Sequence, residues 1–173
     1  MTVIAYRAGI LAADSLTCAH GTRVGTAKKI WRGGDGTLLA LCGSRCEAAD
    51  FLEWFLAGER GRPPGGEDWG GTLIRPDGAV FNINASGRMT SVEAEFHTNG
   101  AGGFIALGAM DRGATAIEAV ESAIRWSTDC GGPVQFERLD RAPGTLVQRF
   151  PPTKFHHPWV EGGAGHFERA AAD

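Results

Sequence analysis

The chain has 173 residues, 43% of them hydrophobic, which suits one sizeable core and is too short for two ordinary ones. With 17 Lys and Arg against 20 Asp and Glu, the net charge is −3 and no basic stripe accumulates, so a nucleic-acid partner is not expected. No stretch approaches the ~20 apolar residues of a membrane span, and the amino end lacks the pattern of a secretory signal. A cytoplasmic protein with no membrane partner is expected.

The first residues, Met1-Thr2-Val3-Ile4-Ala5-Tyr6, and the run Ile10-Leu11-Ala12-Ala13-Asp14 are short apolar segments rich in strand formers. Arg7-Ala8-Gly9 between them reads as a three-residue hairpin loop centred on Ala8, with glycine at the left-handed position. That register sets Thr2 opposite Asp14. Thr2 follows Met1, so loss of the initiator exposes a threonine amine beside its own hydroxyl, a base and a nucleophile in one residue. Leu16 to Val24 reads as a polar, irregular return. Lys28 and Lys29 then precede a strand-like Ile30-Trp31 pair, where an ammonium can favour ionisation of a nearby hydroxyl.

Gly33 to Gly36 is a turn, and Thr37 to Gly43 reads as a buried strand. Ser44 and Glu47 form a capping-box pattern ahead of a helix carrying Ala48, Phe51, Leu52, Phe55 and Leu56 at helical spacing, ending by about Gly58. The Pro- and Gly-rich stretch from Gly58 to Trp69 cannot continue it. From Gly71 the sequence reads as a strand meander with turns at Pro76-Asp77-Gly78 and Ser86-Gly87, its last strand running from Met89 to Phe96. Phe104 to Ala109 reads as a further apolar strand. A second helix is predicted from about Asp111 to Trp126, stopped by Gly131-Gly132, followed by a last strand from Pro133 to Leu139. Residues 1–139 are read as a single domain and 140–173 as an irregular tail holding His156, His157, Trp159 and His166. Cys18, Cys42, Cys46 and Cys130 lack metal-ligand spacing and are read as reduced thiols, so no metal or cofactor is expected. The periodicity supports an α+β class.

At Thr2, at Ala12-Ala13-Asp14-Ser15 and at Lys28-Lys29-Ile30 the chain resembles the proteasome β-subunit and HslV-like family of N-terminal nucleophile hydrolases. The resemblance covers most of residues 2–139. It implies a four-layer α-β-β-α sandwich of two mainly antiparallel sheets and a threonine-type endopeptidase. Thr2 would be the nucleophile, Lys29 the cation that activates it, Asp14 the partner that orients the lysine, and the Ala40 N–H the oxyanion donor. By the same alignment Thr17, Leu38 and Cys42 would line a small apolar, uncharged substrate pocket. The implied partners are peptide or unfolded protein, a homo-oligomeric ring, and an AAA+ ATPase.

The chain departs from this family in four places. Ala40 replaces a glycine, Ala109 a serine in a Gly-Ser-Gly motif, and Ser127 and Cys130 a usual aspartate and hydroxyl. The second helix after the first is reduced to the loop from Gly61 to Gly70. A ring-forming scaffold of weak activity and a non-peptide amidase are the alternative readings.

Overall fold

The structure, a computed structural model, describes residues 2–140 and 147–149. Strands β1 (Ile4–Arg7) and β2 (Ile10–Ala13) pair antiparallel with Arg7 opposite Ile10 and Ile4 opposite Ala13. Only Ala8 and Gly9 form the loop, at φ 49° and 77°. Two consecutive left-handed residues make the turn whose twist matches that of the strands, so the expected three-residue loop is replaced by a two-residue one. The register moves by one, and Asp14 stands across from Val3 rather than Thr2.

The segment expected to be irregular is a second hairpin, β3 (Leu16–Ala19) and β4 (Thr22–Thr26), turning at His20 and Gly21 with φ 50° and 77°. Next come β5 (Ile30–Arg32), β6 (Leu38–Gly43) and helix α1 (Arg45–Leu56). The capping box read from Ser44 and Glu47 does not form. Ser44 makes no side-chain cap bond, and Glu47 Oε2 instead accepts from the Glu67 and Asp68 amides, both at 2.7 Å. The glycine-rich loop after α1 is thereby tied back to the helix. Leu56 points away from the core and is 53% exposed.

The meander is present as β7 (Trp69–Ile74), β8 (Val80–Ile83) and β9 (Met89–Val92). The last strand read from the sequence stops at Val92, and a separate strand, β10 (Phe96–Asn99), which shares only Phe96 with it, pairs with β1 in the other sheet. Phe104 to Ala109 lies in helix α2 (Gly103–Asp111), not in a strand. Its buried residues, Gly103, Ala106 and Met110, recur every three to four positions while Phe104 is 90% exposed, a helical period concealed in a uniformly apolar run. Helix α3 (Ala116–Trp126) starts at a true capping box between Thr115 and Glu118, and Gly113 at φ 96° separates it from α2. It stops at Ser127, ahead of Gly131. Strand β11 (Val134–Arg138) follows and pairs with β2 and with β12 (Val147–Arg149), which lies in the stretch read as an irregular tail. The tail histidines and Trp159 lie outside the described residues.

Two five-stranded antiparallel sheets result, ordered β10-β1-β2-β11-β12 and β5-β6-β7-β8-β9, beside the β3-β4 pair. Alternation along the strands sorts the side chains into three clusters. Ile4, Tyr6, Leu11 and Ala13 of the first sheet pack with Ile30, Leu38, Ala40, Ile74 and Val80 of the second. Val3, Ala5 and Ala12 turn the other way, onto Ala106, Met110, Ala119, Val120 and Ala123 of α2 and α3. Leu39, Leu41 and Leu73 pack with Ala48, Phe51 and Phe55 of α1. Each fully buried Leu, Ile or Phe stabilises the fold by about 1.5–3 kcal/mol. The fold is thus mixed α/β, with antiparallel sheets and three helices among the described residues.

Candidate active site

Thr2 leads into β1 with 3% of its surface exposed, and its Oγ1 accepts a hydrogen bond from Lys29 Nζ at 2.9 Å. The same ammonium donates to Asp14 Oδ1 at 2.7 Å, in an ion pair buried at both ends. Asp14, fully buried, is further met by three amides. Val3 N donates to Oδ1 at 3.1 Å, and Leu16 N and Gly131 N donate to Oδ2 at 3.2 and 3.0 Å. The carboxylate thus accepts from three amides and from the ammonium, so both partners of the buried pair have their polar atoms met. The cation then lies against the threonine oxygen, where it favours the alkoxide over the neutral hydroxyl.

Local structure explains why these three residues meet. β2 ends at Ala13, and Asp14 continues the pairing by one amide, donating to Val3 O at 3.2 Å, while its carboxylate turns back to accept from Val3 N. Lys29 stands just before β5, its carbonyl accepting from Leu41 N at 3.2 Å and its amide donating to Gln135 Oε1 at 2.9 Å. Lys28, one residue earlier, is exposed.

The other expected site residues are placed differently. Ala40 is fully buried mid-strand, paired with Ile30 on one side and Thr72 on the other, so its N–H belongs to the ladder and is not presented to Thr2. Leu38 is also fully buried, in the cluster between the sheets. Thr17 lies in β3, and its buried hydroxyl has no hydrogen-bond partner among the described residues. Of the three expected pocket residues only Cys42 reaches the cleft beside Thr2. Its Sγ lies 3.6 Å from Asn99 Oδ1, and burial pushes the thiol up, away from the reactive thiolate. Leu38, Ala40 and Cys42 do share a face, but most of that face is core.

The cleft, of about 430 Å³, has a polar floor instead of an apolar one. Asn99 Nδ2 donates to Gly71 O at 3.0 Å and to Asn82 Oδ1 at 2.9 Å, while its Oδ1 accepts from Gly100 N at 2.7 Å. Glu67 and Asp68 also line it, so it carries acidic charge. Two glycines permit the close backbone approach. Gly43 has φ 87°, and a Cβ there would lie 2.7 Å from Trp69 Cα. Gly100 has φ 84°, and a Cβ there would meet the Thr2 carbonyl, whose oxygen accepts from Gly102 N at 3.1 Å.

Ala109 lies in α2 and packs on the helix cluster, whereas Ala101, between two glycines, lines the cleft with Thr2, as does Ala85. Cys130 is buried, and burial together with the Asp14 charge pushes its thiol up to about 11. Sequence reasoning missed Gly43, Asn99, Gly100 and Gln135. Asn99-Gly100 is a turn signal visible in the chain, and Gln135 is a lone amide inside the apolar run Val134 to Phe136.

No family model matches the chain, and no curated protein matches it. Among solved structures it is similar to Thiobacillus denitrificans BPH in complex with epoxomicin, at 20% identity and a TM-score of 0.56, over 87% of this chain and 99% of that one. A second structure of Thiobacillus denitrificans BPH matches at 21% identity and a TM-score of 0.56, over 83% of this chain and 99% of that one. At these identities the likeness is one of fold, and it spans nearly the whole of the other protein.

Proposed function

We propose that the chain is an N-terminal threonine hydrolase of the proteasome-like class, cleaving amide bonds in peptides. The observation that carries this reading is the buried line from Asp14 through Lys29 Nζ to Thr2 Oγ1, with separations of 2.7 and 2.9 Å. With Met1 removed, the Thr2 amine accepts the hydroxyl proton as Oγ1 attacks the substrate carbonyl, while Lys29 stabilises the developing negative charge and Asp14 keeps Lys29 in place. The amine passes the proton to the leaving nitrogen. The resulting ester is then hydrolysed by water, which the amine deprotonates in its turn.

The oxyanion donor is assigned to the Gly43 N–H rather than that of Ala40. Leu41 N points toward β5, to Lys29 O, and Ser44 N points toward β7, to Asp68 O at 2.6 Å. Donor directions alternate along a strand, so the Gly43 N–H points to the β5 side, beyond the start of β5 and in the cleft that holds Thr2. A preorganised backbone donor of this kind is worth about 2.7–4 kcal/mol of transition-state stabilisation.

The three apolar clusters support the four-layer α-β-β-α sandwich. The likeness to Thiobacillus denitrificans BPH supports a proteasome-like class and does not single out an HslV-like enzyme; that BPH binds epoxomicin supports a site for peptide-like electrophiles. Assembly into a ring acting on peptides or unfolded proteins in the cytoplasm, with an AAA+ ATPase, belongs to the same proposal. Exposed Phe104 and Leu107 on α2, 90% and 40% accessible, support a partner surface. No helix among the described residues is long and apolar enough to cross a membrane.

The test is intact mass before and after a peptide epoxyketone. The expected result is a protein lacking Met1 that gains one adduct, and a Thr2→Ala variant that gains none. Reactive protein that quantitatively retains Met1, or an adduct that survives Thr2→Ala, overturns the assignment.

A further inference from the structure

We infer that Gln135 is a positioning residue for this site, its side-chain amide clamping the backbone from Ala27 to Lys29 so that the lysine ammonium is held between Asp14 and Thr2. The inference rests on the threonine-hydrolase reading and adds to it a residue on a strand 106 positions away. Gln135 is 1% exposed and lies opposite Ala13, the neighbour of Asp14. Its Oε1 accepts from Lys29 N at 2.9 Å, and its Nε2 donates to Ala27 O at 2.5 Å. In an extended chain, the C=O of one residue and the N–H two residues on face the same side. One primary amide can therefore stand in for a neighbouring strand.

That stand-in is needed because residues 27–29 fall between strands. β4 ends at Thr26 and β5 begins at Ile30. Ala27 N is taken by Ser15 O at 2.8 Å and Lys29 O by Leu41 N, so Gln135 supplies the partners for the remaining inward-facing groups. Alternation also explains why this strand position is polar. Val134 and Phe136 pack on the helix side, while Gln135 and Glu137 face the second sheet. There Glu137 pairs with Arg32 at 2.7 Å, so two adjacent ties from β11 hold both ends of β5. Among the described residues, Asp14, Cys42 and Cys130 share the field of Lys29, and the amine of Thr2 in the processed chain joins them.

The experiment measures the second-order rate of Thr2 alkylation by a peptide epoxyketone against pH, for full-length wild type, Gln135→Met, Gln135→Asn and Val134→Ala. Wild-type reactivity tests the underlying reading, and its absence overturns that reading. With wild type reactive, both Gln135 variants are expected to react about 10- to 100-fold more slowly, the scale of a misplacement near 1 Å, with the alkaline rise of the profile moved to higher pH. Val134→Ala, a cavity on the helix side, is expected to lower the melting temperature and leave the profile in place. Folded Gln135 variants with the wild-type rate and profile overturn the inference. Should neither variant fold, hydrogen exchange of the wild-type Lys29 amide decides. Protection matching the β11 core supports the clamp, and exchange at the rate of an open loop overturns it.

Discussion

Asp14 and Val3 lock each other across the first hairpin. The Asp14 amide donates to the Val3 carbonyl at 3.2 Å, and the Val3 amide donates to Asp14 Oδ1 at 3.1 Å. Val3 follows Thr2 directly, so this reciprocal pair sets where the nucleophile leaves the sheet. The carboxylate also neutralises Lys29, so Asp14 joins the stability of the hairpin to the electrostatics of the site.

Asp14→Asn keeps the volume and removes the charge, leaving the buried lysine uncompensated and turning an NH2 toward groups that are themselves donors. A loss of about 3–5 kcal/mol in unfolding free energy is expected, as for a broken buried pair, together with loss of turnover. Urea unfolding checks it. A change under about 1 kcal/mol with activity intact contradicts the role given to Asp14.

Thr2→Ala and Lys29→Ala are each expected to lower turnover on the order of 10³-fold or more, with the double variant scarcely worse than either, because members of one catalytic unit are grossly non-additive. Lys28→Ala should retain wild-type turnover, since Lys28 is exposed while Lys29 is buried. Steady-state rates on a fluorogenic peptide decide the matter. Full activity in Lys29→Ala removes the lysine from the mechanism.

Gly43→Ala tests the oxyanion assignment and the backbone together. At φ 87° a side chain is strained whatever the space, and the new Cβ would press on Trp69 Cα and the Asp68 carbonyl, backbone atoms that cannot swing away. The left-handed conformation alone costs about 1–2 kcal/mol. Turnover is expected to fall by about 10²-fold or more, while Gly108→Ala, an open helical position, should be neutral or slightly stabilising. Normal turnover in Gly43→Ala returns the oxyanion donor to another group.

His97 predicts a pH dependence of stability. Burial depresses its pKa in the folded state below the ordinary 6.5, and its Nε2 is buried without a partner among the described residues. Below pH 6.5 the unfolded chain binds the proton more readily than the folded one, so stability is lost as pH falls from 6.5 through the folded pKa. Above 6.5 the residue contributes no slope. His97→Gln should flatten the decline in urea midpoint between pH 6.5 and 5, a comparison set by the ordinary histidine pKa of about 6.5. An equal decline in both proteins places the acid sensitivity elsewhere.

Local chemistry in the sequence determined a good deal: the first hairpin, the buried strand ending at Gly43, helix α1 and the meander. These follow from turn residues and side-chain period, which act within a few residues; the amine beside the Thr2 hydroxyl made that residue a candidate, and the choice of Lys29 over Lys28 came from the family resemblance. The tertiary structure decided what depends on distant partners. Ala8 took a left-handed conformation and shortened the loop, moving Asp14 from Thr2 to Val3 and leaving Lys29 to join them. The run from Phe104 became a helix because Ala106 and Met110 found a sheet face to cover, a choice a uniformly apolar segment cannot announce. Ala40 sits mid-strand between Ile30 and Thr72, while Gly43 lies at the strand end past the start of β5 with its N–H turned the other way, a difference known once β5, β6 and β7 are paired. Gln135 meets Lys29 across 106 residues, and a lone amide in an apolar strand acquires its meaning only when the second sheet arrives to be held.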